Sequence, residues 1–127
     1  MIKVSNLDHF VLTISDIDKT VAFYADILEF DVVRFGENRT ALVFGKSKIN
    51  LHLQGKEIAP HAKNPTLGSA DLCFIVENPL TEVVEHLQKH HIPVESGIVP
   101  RTGACGPIES LYLRDPDGNL IELSRYL

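Results

Sequence analysis

The sequence predicts an α+β fold made of two tandem βαβββ modules. Three observations support this fold class: both halves show the same order of strands and helices, parts of the chain align on each other, and a segment containing Pro60 and Pro65 separates the halves. We place the first module at about residues 5–54, a linker at residues 55–68 and the second module at about residues 69–127. At 127 residues the chain is expected to form one domain.

The first half of the chain has the pattern of a strand, a helix and three further strands. Residues 7–14 are rich in apolar and β-branched residues, which favours a strand. Ser15, Asp16 and Asp18 are typical of a helix start, where carboxylates lie near the positive end of the helix dipole. An apolar stripe then predicts a helix, and extended segments follow it: the stripe is Ile17, Val21, Tyr24 and Leu28, and the segments are residues 30–33, 40–44 and 48–53.

The second half repeats this order of elements. Asn78 and Pro79 predict the cap and the first residue of a helix, which must end before Pro93. Strands are expected on both sides of this helix, with a turn before the last one. The strands are residues 70–76, an extended segment at Val94, residues 110–113 and residues 120–124, and the turn is residues 115–119.

The two halves also align on each other. A shift of 62 positions lays residues 9–14 on residues 71–76, where both segments have the pattern of a strand. A shift of 70 positions lays residues 50–53 on residues 120–123, at the last strand of each half. We interpret this as an internal repeat, in which each half is one copy of the same supersecondary unit.

Four residues that can bind a metal fall at equivalent positions of this repeat. His9 aligns with Asp71, and His52 aligns with Glu122. A single polar residue in an apolar strand points either to solvent or into a wet cavity. Taken singly, each is more commonly an ordinary strand residue, but jointly the four predict one divalent metal site. Two imidazoles and two carboxylates suit Zn²⁺, Ni²⁺, Co²⁺, Mn²⁺ or Fe²⁺ and leave positions open for two substrate oxygens.

Composition and charge argue against several classes of function. The net charge of −5 and the lack of a basic cluster argue against nucleic acid as a partner. No run approaches the roughly 18 apolar residues of a membrane-spanning helix, and no signal peptide is recognisable, so we expect no membrane partner and a cytoplasmic protein. Cys73 and Cys105 lie far apart and are expected to be reduced, with a passive role for Cys73.

Several segments of the chain resemble a known superfamily. They include LDHFVL at residues 7–12, TVAFY at residues 20–24 and DPDGNLIE at residues 115–122. On these motifs the chain resembles the glyoxalase, bleomycin-resistance and extradiol-dioxygenase superfamily, whose members are also called vicinal oxygen chelate proteins. Through VPRTGACGPI at residues 99–108 it also resembles a narrower branch of short glyoxalase-domain proteins.

This resemblance implies an open, cup-shaped mixed sheet whose cavity holds the metal ion. It implies that His9 is the first-strand ligand, that Glu122 is the last-strand ligand, and that Asp71 takes the place of a second His found in many members. His52, or as the less favoured choice Asn50, lies where bacterial-type glyoxalase I has Glu. The superfamily also implies a homodimer, because its members commonly complete their sheets or sites between subunits.

The reaction that the resemblance implies is that of lactoylglutathione lyase (glyoxalase I), the metal-dependent isomerisation of a glutathione hemithioacetal. Glu122 is the first candidate for the base that moves the proton, and Asp71 is the second. We expect residues 99–108 to form a loop that closes over the cleft, on which Arg101 contacts an anionic substrate.

Three alternatives remain open. An extradiol dioxygenase would bind Fe²⁺ or Mn²⁺ through His9, His52 and Glu122, with Asp71 as acid or base. A fosfomycin-modifying enzyme would use a similar set of donors. A binding protein of the bleomycin-resistance kind would hold a small molecule without a metal, since one fold serves unrelated functions.

Overall fold

The computed structural model describes residues 1–127, which divide into two compact units. The first unit is Met1–Leu67 and the second is Gly68–Leu127, so the boundary falls at the end of the predicted linker at residues 55–68. Each unit contains the elements of a βαβββ module in the expected order. The α+β class with two tandem modules is therefore confirmed, while their union in one domain stays a prediction.

The first unit contains a four-stranded mixed sheet and one helical region. Its elements are β1 (His9–Ile14), α1 (Ile17–Val21), a π-helical segment (Ala22–Ile27), β2 (Asp31–Phe35), β3 (Arg39–Phe44) and β4 (Ser47–Leu53). The sheet order is β1-β4-β3-β2, with β1 parallel to β4 and the other pairs antiparallel. The parallel pair needs a long crossover, which the helical region and the next two strands supply.

The helical region of the first unit begins at a predicted N-cap residue as an α-helix and continues as a wider π-helix. Asp16 is the cap, because its carboxylate accepts a hydrogen bond from the Lys19 backbone N–H at 2.8 Å. Further along, the N–H of Leu28 donates to the carbonyl of Phe23, five residues back, at 3.1 Å. Phe23 and Tyr24 are buried in this π-helical segment, whereas Leu28 of the predicted stripe is only half-buried.

The second unit has the same topology. Its elements are β5 (Asp71–Ile75), α2 (Leu80–Lys89), β6 (Ser96–Gly103), β7 (Gly106–Arg114) and β8 (Leu120–Tyr126). The sheet order is β5-β8-β7-β6, with β5 parallel to β8. The helix ends before Pro93 as predicted, but its cap is Pro79 and not Asn78. The ψ angle of Pro79 is 138°, which is extended, so the helix begins one residue later than predicted.

The prediction of a loop at residues 99–108 is wrong, because this segment forms a β-hairpin. β6 and β7 pair down to a two-residue turn, Ala104-Cys105. Pro100 is tolerated because β6 is an edge strand, where an N–H facing away from the sheet needs no partner. A hydrogen bond connects the tip of the hairpin to the end of β8, because the backbone N–H of Cys105 donates to the Tyr126 hydroxyl at 3.0 Å.

In each sheet one set of alternate side chains is apolar and largely buried, and the candidate polar residues belong to the other set. This alternation follows from the pleat, which turns successive side chains to opposite faces. The buried apolar strand residues include Leu12, Ile14, Leu42, Ile49 and Leu51 in the first unit, and Leu111, Leu113, Ile121 and Leu123 in the second. No helix of the chain has the length and apolar character needed to cross a membrane.

Candidate functional site

The first sheet brings His9 and His52 to the same face. β1 and β4 run parallel with His9 paired to Lys48 and Thr13 paired to His52, so alternate residues of both strands point the same way. Four positions along the ladder separate the two histidines, about 13 Å of strand. We call this surface the first polar face; its residues include His9, Phe35, Arg39, Ala41, Lys48, Asn50 and His52.

His9 is held by its neighbour in the chain. Its Nδ1 lies 2.7 Å from Oδ2 of Asp8, and both side chains are exposed. A carboxylate on Nδ1 orients the imidazole and leaves Nε2 as the atom that can bind a metal. The sequence predicted His9 as a ligand without identifying this partner.

His52 differs from His9 because it is buried, with only 4% of its surface exposed. Burial lowers the pKa of the His52 imidazole, and the nearby positive charge of Arg39 lowers it further. The neutral ring is therefore favoured on this face. Neutral imidazole is the form that binds a metal or accepts a hydrogen bond.

The second sheet brings Asp71 and Glu122 to one face. β5 and β8 run parallel with Asp71 paired to Leu120 and Cys73 paired to Glu122, so two positions of the ladder separate the two carboxylates. Cys73 consequently lies directly beside Glu122. We call this surface the second polar face; its residues include Asp71, Cys73, Arg101, Ser110, Tyr112, Glu122 and Ser124.

A hydroxyl network holds the Glu122 carboxylate. The Ser124 hydroxyl donates to Glu122 Oε2 at 3.3 Å and lies 2.6 Å from the Ser110 hydroxyl. It also lies 3.3 Å from the Cys73 sulfur. Cys73 is exposed at the surface, but desolvation of its sulfur by neighbouring groups raises the pKa of the thiol, and the charge of Glu122 adds to this effect, while the hydrogen bond to Ser124 opposes it. Cys73 is therefore a thiol at neutral pH, and Glu122 has a defined orientation.

The turn before β8 fixes where β5 and β8 begin. The Asp115 carboxylate accepts hydrogen bonds from the backbone N–H groups of Asp117 and Asn119 and from Asn119 Nδ2, at distances between 2.7 and 2.9 Å. Asn119 Oδ1 in turn accepts from the Ala70 N–H at 2.9 Å. Asp115 and Asn119 are buried, so these hydrogen bonds hold the starts of β5 and β8 against each other. They thereby stabilise the register that places Asp71 and Glu122 two ladder positions apart.

Arg101 lies on β6 and reaches across the second polar face. Its Nε donates to the Tyr112 hydroxyl at 3.0 Å, its Nη1 donates to the Pro100 carbonyl at 2.8 Å, and its guanidinium lies 5.4 Å from the centre of the Tyr112 ring. Tyr112 pairs with Glu122 in the β7–β8 ladder. The Arg that was predicted to contact an anion thus shares a face with the predicted base.

The strand registers correct the predicted equivalence of His52 and Glu122. In the second sheet, Glu122 lies two positions beyond the partner of Asp71, and in the first sheet the residue two positions beyond the partner of His9 is Asn50. The last strands therefore correspond at a shift of 72 positions and not 70. A slip of two positions leaves every side chain on its own face, so the apolar pattern does not reveal it.

Asn50 and Cys73 are the residues that sequence reasoning undervalued. Asn50 is 6% exposed, and its Oδ1 is buried without a hydrogen-bond partner. Such an acceptor is unfavourable unless a cation or a donor reaches it. Cys73 was assigned a passive role, although its position two residues after Asp71 on one strand already indicated a shared face.

The predicted ligands are thus distributed over two faces. The structure brings His9 and His52 to the first polar face, and Asp71 and Glu122 to the second. No group of three or more His, Cys, Asp or Glu side chains in the chain is arranged to hold a metal ion. The four-residue metal site stays a prediction.

Comparison with known proteins gives matches over nearly the whole chain. The family model described as Glyoxalase/Bleomycin resistance protein/Dioxygenase superfamily matches residues 6–123. Virulence protein STM3117 of Salmonella typhimurium is 52% identical over 124 residues, which are 98% of this chain and 86% of that protein. Its crystal structure matches with a TM-score of 0.98 and covers 99% of this chain and 100% of that chain.

Two further matches extend this comparison. Glyoxalase domain-containing protein RDO1 of Mycosarcoma maydis is 54% identical over 125 residues, which are 98% of this chain and 70% of that protein. The crystal structure of lactoylglutathione lyase from Agrobacterium tumefaciens has a TM-score of 0.74 at 22% identity, covering 97% of this chain and 95% of that chain. At 22% identity, the match to this lyase shows only that the two proteins share a fold.

Proposed function

The chain belongs to the glyoxalase, bleomycin-resistance and dioxygenase superfamily, and from this premise we propose that it is a metal-dependent isomerase of the lactoylglutathione lyase type. Its substrate would be a small molecule with neighbouring oxygens, such as the hemithioacetal of glutathione and a 2-oxoaldehyde. The observation that carries the proposal is the offset shared by the two sheets, which puts Asp71 and Glu122 in the same relation as His9 and Asn50.

We propose that these donors fit a single divalent ion of the Ni²⁺, Co²⁺, Zn²⁺, Mn²⁺ or Fe²⁺ type, because imidazole and carboxylate ligands suit such ions. We propose His9, Asp71 and Glu122 as ligands, with a fourth donor from β4. His52 is the donor predicted there, and Asn50 is the residue that the register makes equivalent to Glu122. The unpartnered Oδ1 of Asn50 supports this fit, because an amide oxygen can bind a metal.

The residues of the chain divide the chemistry between them. A bound divalent ion would act as a Lewis acid that lowers the energy of the anion formed when the substrate loses a proton. Glu122 removes and returns this proton, since its carboxylate is already oriented by the Ser124 hydroxyl. Asp71 lies two ladder positions away on the same face and balances charge. Arg101 supports an anionic part of the substrate on this face.

The dioxygenase alternative has less support from the structure. It needs His9 and His52 as the two imidazole ligands of one iron. These residues share a face, but four ladder positions separate them, whereas Asp71 and Glu122 are separated by two. We therefore favour the isomerase over the dioxygenase as the proposed function.

A homodimer is part of the proposal. Members of this superfamily often form dimers, and each sheet of this chain leaves two edge strands, β1 and β2 in the first and β5 and β6 in the second. An edge strand has unpaired backbone groups that another chain can cover. Light scattering at micromolar concentrations should give twice the mass of the chain, and a monomer throughout that range would contradict the proposal.

The decisive assay mixes methylglyoxal, glutathione and protein reconstituted separately with Ni²⁺, Co²⁺, Zn²⁺ and Mn²⁺, and follows thioester formation. At least one metal form should exceed an Asp71→Asn, Glu122→Gln double variant treated in the same way. If every metal form matches that variant, the isomerase proposal fails. Calorimetric metal titration of both proteins then tests the metal site separately from the reaction.

A further inference from the structure

We propose that His86 and His90 of α2 form a second metal site, which binds a divalent transition ion through their two imidazoles. The ion class is one that accepts neighbouring imidazoles at a bond angle of about 90°, such as Ni²⁺ or Cu²⁺. Water would fill the other coordination positions, so the site has two protein ligands. The inference is independent of the proposed function, because both histidines lie on a helix and neither belongs to the two polar faces.

The two histidines lie one helical turn apart on the same side of α2. Residues four apart in a helix are neighbours on its surface, with Cβ atoms about 5–6 Å from each other. The backbone keeps this spacing to the end of the helix, because the N–H of His90 donates to the carbonyl of His86 at 3.3 Å. The last turn of α2 therefore presents two imidazoles side by side.

The distance between the two rings carries the inference. The ring centres of His86 and His90 lie 4.6 Å apart. With metal–nitrogen bonds of about 2.0–2.1 Å, two imidazoles on one ion have ring centres about 4.5 Å apart at an angle of about 90° and about 5.2 Å apart at a tetrahedral angle. The observed distance is close to the first value. Rotation of each ring about its Cβ–Cγ bond turns the nitrogens and leaves the ring centre in place, so this distance persists when the rings turn towards a shared ion.

The end of the helix holds this pair of side chains in place. The N–H of His91 donates to the Gln88 carbonyl at 3.1 Å. The N–H of Ile92 donates to the Leu87 carbonyl at 2.9 Å, and the two bonds together form a Schellman motif. Leu87 is fully buried and His86 is half-buried, so packing restrains the first ligand. An ion that binds here therefore orders little of the chain, and little affinity is lost to that ordering.

The carboxyl end of α2 is also a favourable place for a cation. The last carbonyl groups of a helix carry a partial negative charge, which stabilises positive charge within the last turn. Glu82 precedes His86 by one turn, so its carboxylate lies on the same side of the helix and adds to this attraction. Lys89 is adjacent to His90 in the chain, and adjacent residues of a helix point in directions about 100° apart. The electrostatic field at the two imidazoles thus favours a metal ion.

The test is a titration of the chelator-treated protein with Ni²⁺, which is paramagnetic, followed by amide NMR. Broadening of the signals of residues 86–91 should saturate with Ni²⁺ and should be absent with Mg²⁺, which prefers oxygen ligands. The broadening should persist in the Asp71→Asn, Glu122→Gln double variant, which lacks the carboxylates of the candidate site. Its absence in the parent protein, or its loss in that double variant, would overturn the inference.

Matched variants separate chelation from binding by single histidines. A swapped variant, Gln88→His with His90→Gln, keeps the number of histidines and places the second imidazole two residues from His86, where the two do not face each other. The swapped variant and His86→Gln should each weaken Ni²⁺ binding at least tenfold, because the chelate loses one imidazole. His61→Gln removes an exposed histidine of the first unit and should leave the affinity unchanged. Parent affinity in the swapped variant would contradict chelation by the pair.

Hydrogen exchange followed by mass spectrometry gives a second measurement at the end of the helix. An ion bound across the last turn opposes its opening, so saturating Ni²⁺ should slow exchange of the Ile92 amide about tenfold or more in the parent protein. Without Ni²⁺ the swapped variant should exchange at the parent rate, which shows that its helix is intact, and with Ni²⁺ its rate should not change. An Ile92 amide that does not respond to Ni²⁺ in the parent protein would show that the two imidazoles do not bind one ion.

Discussion

The two sheets share one backbone plan and differ in the chemistry of their polar faces. In each, a parallel pair of strands offers two positions at the same offset, filled by His9 and Asn50 in the first sheet and by Asp71 and Glu122 in the second. Around them the first face carries Arg39 and Lys48, and the second carries the Cys73 thiol, serine and tyrosine hydroxyls, and Arg101.

Under the proposed function, this difference assigns different chemistry to the two copies of one unit. Carboxylates and hydroxyls suit proton transfer, whereas neutral imidazole and amide groups suit metal binding and cationic groups suit the binding of anions. The strand register sets the position of each side chain on its face, and the chemistry of that side chain sets the role it can take there. Substitutions that make one face resemble the other therefore test the comparison most directly.

The largest effect is expected when the second face loses its base. Glu122→Gln keeps the shape of the side chain and removes the charge, so the rate of isomerisation should fall by about 10² to 10⁴. Glu109→Gln, on the opposite face of β7, is the matched control and should retain full activity. Equal activity of the two variants in the methylglyoxal assay would show that Glu122 is not the base.

The next effect is on the stability of the second unit. Asn119→Ala removes a donor to Asp115 and the acceptor of the Ala70 N–H, all of them in or beside the buried turn. We expect a loss of about 2–3 kcal/mol in the free energy of unfolding, since buried polar groups are left unpaired. Urea denaturation measures this, with the exposed-turn variant Lys46→Gln as the control. A loss below the error of the method would mean that the turn does not lock the strands.

A smaller effect should follow from giving the first face a carboxylate. Asn50→Asp makes the equivalent positions of both sheets acidic, and we expect the affinity for a divalent ion to rise about tenfold, because affinity follows ligand charge. Calorimetry with Mn²⁺ measures this affinity, and an affinity equal to or lower than that of the parent protein would contradict the assignment of Asn50 to the metal site.

The smallest effect concerns the thiols. Because burial and the charge of Glu122 raise the pKa of the Cys73 thiol, its alkylation at pH 7.5 should be several-fold slower than that of Cys105, and the gap should narrow as the pH rises. Mass spectrometry after timed iodoacetamide treatment gives both rates in one sample. Glu122→Gln should speed the reaction of Cys73 and leave Cys105 unchanged; the reverse pattern would rule out this coupling.

The sequence predicted the elements well because their signals are local. The cap at Asp16, the stop before Pro93 and the DPDGN turn each depend on a few neighbouring residues. The hairpin at residues 99–108 was missed because Gly and Pro are typical of loops, and an edge strand tolerates them equally well.

The candidate site was harder to predict because it depends on register. Side chains alternate with a period of two, so an alignment error of two positions keeps the core and the polar face intact and changes only which residues are neighbours. The shift of 70 positions favours His52 over Asn50, but the pairing of β1 with β4 and of β5 with β8 gives Asn50 the place equivalent to Glu122. Only the pairing of strands distinguishes the two.

The hairpin of β6 and β7 has a consequence for the entropy of binding. A lid that orders over its ligand loses backbone and side-chain freedom at each encounter, which weakens the affinity. Arg101 lies on a paired strand, and the Tyr112 hydroxyl already restrains its guanidinium. Under the proposed function, a ligand that contacts Arg101 would meet a cation already held in place, so little ordering of the protein would oppose the affinity gained from this contact.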